Sequence, residues 1–291
     1  MLNRLSLGRR APDGADPRSL SHLVPSATVV LPDRKVPLMP TTTTNRYPNV
    51  PLPTASLSFK EVSGEYLAKH PGWHSEVSPQ KAQEIMKMIK IGGITPTTIG
   101  EVGCGAGGIL VELQKQMDGS CVFQGYDISP QSIEIAREKE NEMLHFKQAD
   151  FIEQNAYFDL LLMIDMIEPV EDCFSFLRNV KSKGEYKMIQ LALDLTVKAL
   201  LKPDTLLGFR NTDGHVGHVH YFTKNIALAM LEDLGYEIVH HFYTLVPYSP
   251  DAPPLSWKAR LHRIPRAIFC RLNKDAAVRF IGGYKLLVLA R

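Results

Sequence analysis

The stretch EVGCGAGG, from Glu101 to Gly108, follows a short apolar run and precedes a helix-forming segment. A glycine-rich turn between a strand and a helix lets a ligand approach bare backbone. Gly103, Gly105 and Gly108 satisfy G-x-G-x-x-G, and Asp127 follows at about the 20-residue distance of the dinucleotide fingerprint. Glu101 speaks against a dinucleotide. It stands two residues before the first glycine, where a pyrophosphate would lie, and a carboxylate there repels that anion. A ligand carrying an ammonium and a sulfonium, without phosphate, suits the position. S-adenosylmethionine is such a ligand. Asp127 accepts hydrogen bonds from ribose hydroxyls in either case and does not discriminate.

A second candidate cluster is HVGHVHYF, with His215, His218 and His220. Imidazole titrates near neutrality and suits a general base. The competing reading is a hydrogen-bonded structural histidine before the next helix. Three imidazoles in one loop also raise a metal site, but no carboxylate or cysteine accompanies them at a recognised spacing, so none is expected. Asp165 and Asp194 end neighbouring strands. They are read as ordinary strand-end carboxylates in preference to a magnesium pair.

These residues need a scaffold, and the chain alternates strand and helix patterns. Strands are expected at 97–103, 121–127, 144–150, 158–165 and 186–193, and helices at 78–90, 107–117, 131–141 and 171–183. The run FDLLLMID is nearly all apolar, as a central parallel strand buried on both faces should be. Short links between alternating elements mean a parallel, doubly wound α/β sheet. Residues 194–222 read as a long connection, 224–235 as a helix, and 236–244 and 284–291 as closing strands.

Residues 1–56 are rich in proline and threonine without hydrophobic periodicity, and read as a disordered tail. The chain has 44% hydrophobic and 22% charged residues, enough to bury a core, and a net charge of only +2 gives no nucleic-acid signature. Cys104, Cys121, Cys173 and Cys270 form no CxxC pair. With no secretory signal and no apolar run of membrane-spanning length, a cytoplasmic protein is expected.

Taken together, these segments resemble class I S-adenosylmethionine-dependent methyltransferases over about residues 60–291. E-x-G-x-G-x-G at Glu101, Gly103, Gly105 and Gly107 resembles their cofactor motif. GYDIS, with Asp127 and Ile128, resembles the second motif, QADF the third, and FDLLLMIDMIEPVED the fourth. The likeness is to bacterial methyltransferases with an N-terminal W-H pair, here Trp73 and His74, and a G-H-x-H-Y-F-T segment, here Gly217 to Thr223. It implies a methyltransferase domain over 57–291 with a Rossmann-like sheet of seven strands, mostly parallel, whose antiparallel C-terminal strand makes a hairpin with the sixth. It implies S-adenosylmethionine as cofactor. Glu101, Gly103, Gly105 and Gly107 would hold the methionine end, Asp127 the ribose, Asp150 and Phe151 the adenine. Asp165 and Met166 would floor the site near the methyl group. One departure is Pro169, where many relatives carry histidine.

The expected acceptor is a small molecule with an oxygen or nitrogen nucleophile, and His215, His218 and His220 are the base candidates. Tyr66, Trp73 and His74 read either as an aromatic lid or as packing for the first helix. Cys104 reads as a small filler in the turn. The basic insertion lies within 245–283, and its stretch Ser256 to Phe280 carries Lys258, Arg260, Arg263, Arg266, Arg271, Lys274 and Arg279 against one acid, Asp275. It reads as a solvated cap, a patch for an acidic substrate, or a surface resting on anionic lipid. The alternatives are a protein or RNA methyltransferase, a non-catalytic cofactor-binding partner, and an NAD(P)-dependent oxidoreductase. Glu101 and the closing hairpin disfavour the last.

Overall fold

In a computed structural model of the chain, the structure describes residues 75–210, 217–246 and 273–291. All lie in one compact unit, Pro51–Arg291. The proline-rich tail, Tyr66, Trp73, His74, His215 and residues 247–272 of the basic insertion fall outside the described residues.

Helix α1 (Ser78–Gly92) starts on Pro79 and ends where Gly93 turns left-handed at φ 64°, and its inward face carries Ala82, Ile85, Met88 and Ile89. It leads into β1 (Thr98–Val102), α2 (Gly108–Gln114) and β2 (Val122–Asp127). Next comes α3 (Pro130–Arg137), capped by Ser129, whose side chain accepts from the Ser132 N–H at 3.3 Å. The core then adds β3 (Leu144–Gln148), β4 (Phe158–Ile164), α4 (Cys173–Val180) and β5 (Gly184–Ala192). After β5 the chain forms two short helices, α5 (Val197–Leu200) and α6 (Pro203–Arg210). Both lie in 194–222, which has the sequence pattern of a plain connection; α5 is one turn long, below what periodicity detects. Helix α7 (Lys224–Asp233), β6 (Ile238–Leu245), α8 (Lys274–Ile281) and β7 (Tyr284–Ala290) complete the described elements.

The sheet order is β3-β2-β1-β4-β5-β7-β6. Strands β1 to β5 pair in parallel, while β7 runs antiparallel to both β5 and β6. This is the expected seven-stranded α/β sheet with one antiparallel C-terminal strand. Two apolar clusters cover its faces. One joins Ile85, Met88, Leu110, Leu113 and Ile133 of α1 to α3 to the sheet. The other joins Phe176, Leu177, Ala227 and Leu231 of α4 and α7 to it. β4 is buried on both faces, which explains its unbroken apolar run.

Strand order reverses between β1 and β4. In open parallel sheets the carboxyl ends of the strands part at such a point and leave a crevice. The β5–β7 register sets Ala192 opposite Lys285, which brings that lysine to the same end of the sheet.

Candidate active site

The glycine turn leaves β1 in a left-handed conformation, with φ of 71° at Gly103, 54° at Gly105 and 77° at Gly107. The Gly103 and Cys104 N–H groups donate to the Tyr126 carbonyl of β2 at 2.8 and 3.0 Å, and Lys139 Nζ donates to the Ala106 carbonyl at 2.6 Å. The turn is therefore tied to neighbouring elements. Asp127 braces it: Oδ2 accepts from the Gly105 N–H at 2.8 Å and Oδ1 from the Ser129 N–H at 2.9 Å.

A cleft opens over this turn. It is lined by Gly103, Gly105 and Gly108 from the turn, Asp127 and Ile128 from the end of β2, Asp150 and Phe151 after β3, and Asp165, Met166 and Pro169 after β4. Gly107 stands behind it, its α-carbon against the Phe146 ring. Phe151 is buried and packs against Tyr126 with centroids 5.0 Å apart. Asp150 spends Oδ1 on the Ile152 N–H at 2.9 Å. The Met166 side chain lies 3.5 Å from where a Cβ on Gly103 would be, so it floors the turn. Cys104 is buried, and burial pushes its thiol well above the ordinary range, as befits a filler.

The charges concentrate at the end of the cleft near Glu101. Glu101 is 2% exposed, and its Oε2 has no hydrogen-bond partner. Burial pushes its carboxyl up to about 8, against the pull of Lys81. A buried carboxylate oxygen left unsatisfied is costly unless something cationic meets it. Asp165, at the end of β4, is a non-glycine residue held left-handed at φ 57°, which marks a constrained position. Its Oδ2 receives Lys81 Nζ at 3.0 Å and also Lys285 Nζ. Burial opposes its charge, but the two lysines hold it well below the usual carboxylate range.

The His218–Asp194 pair and His220 do not line the cleft, but His218 lies in the field of Asp165, which does. His218 Nδ1 lies 2.7 Å from Asp194 Oδ2. The His218 N–H donates to the Phe209 carbonyl of α6 at 2.9 Å, and the Phe209 ring stacks on the imidazole at 6.1 Å between centroids. Glu168 is buried. Its carbonyl accepts from the Val219 and His220 N–H groups at 2.9 and 3.1 Å, and its side chain accepts from the Ala192 N–H. Burial opposes a charged His218, but the bond to Asp194 and the fields of Glu168 and Asp165 outweigh it, so its pKa is raised. His220 is differently placed. Its Nε2 lies 2.9 and 3.0 Å from the carbonyls of Val170 and Glu171, so that nitrogen donates and the ring ties down the loop.

The cleft therefore gathers Glu101, Gly103, Gly105, Asp127, Ile128, Asp150, Phe151, Asp165 and Met166, while Gly107 lies behind it. Asp165 and Asp194 each have a cationic or imidazole partner, against the magnesium alternative. Lys81, Ser78 and Lys285 join the site without belonging to any of the sequence motifs. A signal was present for the first two: Ser78 and Lys81 fall at the same helical spacing as Ile85, on the inward face of α1. No helix among the described residues is long and apolar enough to cross a membrane.

Residues 97–235 match the family model of a methyltransferase domain. None of the curated proteins matches the chain. Among solved structures, the chain is similar to a SAM-dependent methyltransferase from Archaeoglobus fulgidus, with 18% identity, TM-score 0.51, and coverage of 77% of this chain and 98% of that one. It is similar to a chain of the Haloferax volcanii complex between the Trm112 methyltransferase activator and a methyltransferase, with 14% identity, TM-score 0.51, and coverage of 78% and 96%. A third is the magnesium protoporphyrin IX methyltransferase of Synechocystis PCC 6803 with bound SAH, at 15% identity, TM-score 0.48, and coverage of 73% and 81%. At these identities the likeness concerns the fold.

Proposed function

We propose that the chain, as a class I S-adenosylmethionine-dependent methyltransferase, methylates an oxygen or nitrogen of a small-molecule acceptor. The observation that carries the cofactor part of this reading is Glu101: a buried carboxylate with one unpartnered oxygen, lining the cleft at the end of β1. It suits an amino-acid ammonium and repels a pyrophosphate.

S-adenosylmethionine supplies a methyl group already activated by its sulfonium. The residues of the chain then bind and position. Glu101 holds the ammonium, and Gly103 and Gly105 let the amino-acid end approach the backbone. Asp127 takes the ribose hydroxyls, Asp150 and Phe151 the adenine. Displacement at a methyl group needs the acceptor close and in line, so positioning is the main contribution. Met166 and Pro169 give that end apolar walls, which help exclude water.

An alcohol or phenol must also lose a proton. Of the three histidines expected as bases, His218 is the one we propose. Asp194 accepts the hydrogen bond of Nδ1–H, which leaves Nε2 free to take the acceptor's proton. We place the enzyme in the cytoplasm, in keeping with free, buried Cys104, Cys121 and Cys173.

Calorimetric titration should give micromolar binding of S-adenosylhomocysteine and none of NAD or NADP. Clear NAD binding overturns the reading. With an acceptor found by a mass-spectrometric screen, His218→Ala should cut kcat about 10²- to 10⁴-fold and remove the rise of rate with pH through the imidazole range. Unchanged kcat would mean that the acceptor needs no base. An acidic or lipid-borne acceptor is read from the charge of the insertion alone. Neutralising Arg260, Arg263 and Arg266 should then weaken both activity and liposome binding; no change in either removes that reading.

A further inference from the structure

We propose that Lys81 is the counter-ion for the carboxylate of the cofactor's amino-acid end, and that the Lys81–Asp165 ion pair is a resting contact which that carboxylate displaces. The inference rests on the reading of the cleft as the S-adenosylmethionine site and extends it to a residue of α1.

An amino-acid end carries an ammonium and a carboxylate on one carbon, so its site needs an anion and a cation close together. Glu101 and Lys81 line the same cleft, and each lies in the field of the other. Among the described residues lining it, Lys81 is the only one with a cationic side chain, against Glu101, Asp127, Asp150 and Asp165. Without Lys81, an incoming carboxylate would meet only like charges there.

The geometry also shows how Lys81 is released. Lys81 Nζ sits 3.0 Å from Asp165 Oδ2 and leaves Glu101 Oε2 unpartnered. The same Asp165 oxygen also accepts from Lys285. Asp165 thus has two cations where one balances its charge, so it stays paired when Lys81 turns away. A lysine stem is flexible enough for that swing. After the exchange every charge has a partner: Glu101 the ammonium, Lys81 the carboxylate, Asp165 the Lys285 ammonium. Stepwise loss of one partner from a buried pair is the costly event, and this order avoids it.

The test compares two ligands that differ by one group: S-adenosylhomocysteine and its decarboxylated analogue, which keeps the ammonium. Each is titrated calorimetrically into wild-type protein, K81M and K81R. The wild type should prefer S-adenosylhomocysteine by about tenfold or more. K81M should weaken S-adenosylhomocysteine about 30-fold while changing the analogue less than about threefold, and K81R should keep the preference. Equal weakening of both ligands in K81M would mean that Lys81 only shapes the cleft, and overturns the proposal. A wild type without preference overturns it alone, and K81Q serves the comparison if K81M does not fold. A wild type that binds neither ligand instead fails the cofactor reading itself.

Discussion

Glu101→Gln should bind S-adenosylhomocysteine at least ~30-fold more weakly than the wild type, and should nonetheless be the more stable protein at about pH 8.5. The first half follows from removing the charge that meets the ammonium. The second follows from burial. In the folded chain the Glu101 carboxyl titrates at about 8, against an ordinary value of 4.5. Between those values the native state keeps a proton that the unfolded chain has shed. Stability therefore falls as pH rises through that window, and the full penalty is present above it. Each pKa unit is worth roughly 1.4 kcal/mol, which puts the penalty on the order of a few kcal/mol. Glutamine does not titrate, so the advantage of the variant should fade towards about pH 4.5. Denaturant melts across that range read it directly. A variant equally destabilised at every pH would make Glu101 a structural partner of Lys81 and nothing more. The same titration gives a binding signature: at neutral pH the arriving ammonium favours the ionised carboxylate, so binding expels a proton. Calorimetric enthalpies should then change with the ionisation enthalpy of the buffer.

The second large effect is expected at a glycine that does not line the cleft. Gly107 sits at φ 77°, and a Cβ built on it would lie 2.3 Å from the Phe146 ring. Gly107→Ala pays for the left-handed backbone at roughly 1–2 kcal/mol and for overpacking at roughly 1–3 kcal/mol. A combined loss of roughly 2–5 kcal/mol is a large part of an ordinary domain's stability, and lowers Tm by roughly 5–15 °C. Phe146→Leu in the same chain should recover the overpacking part and leave the backbone part. Gly107 is also the N-cap of α2, so the turn ahead of it should loosen and cofactor affinity should fall with stability. An unchanged melting temperature in Gly107→Ala would show that the Phe146 ring has room to move.

Much of this arrangement was legible in the residues. FDLLLMI reads as a strand buried on both faces, and the glycine turn with Asp127 marked where two parallel strands end. Residues 194–222 were opaque because α5 and α6 are both short, and what matters there is non-local: Phe209 props His218, and Asp194 fixes its ring. The roles of the histidines were equally hidden. His218 and His220 are two residues apart, yet one faces a carboxylate and the other two backbone carbonyls. Lys285 became a site residue only through sheet register, since pairing opposite Ala192 places it against Asp165. Gly107 shows the converse. Its place in the motif suggests ligand contact, while its position in space is behind the turn.

The placing of β7 has a consequence for how the domain is made. Among the described residues β6 pairs only with β7, and the outer edge of β5 has no other partner in the sheet. A ribosome finishes β5 at Ala192 and reaches Tyr284 roughly ninety residues later, an interval of roughly 5–20 s at usual elongation rates. Throughout that interval the nascent domain carries an open apolar strand edge, the kind of surface on which chains aggregate and which chaperones cover. β6 waits outside the sheet until its neighbour emerges. A chain interrupted before Tyr284 would consequently lose the places of two strands, and would leave the ribosome with the edge of β5 bare.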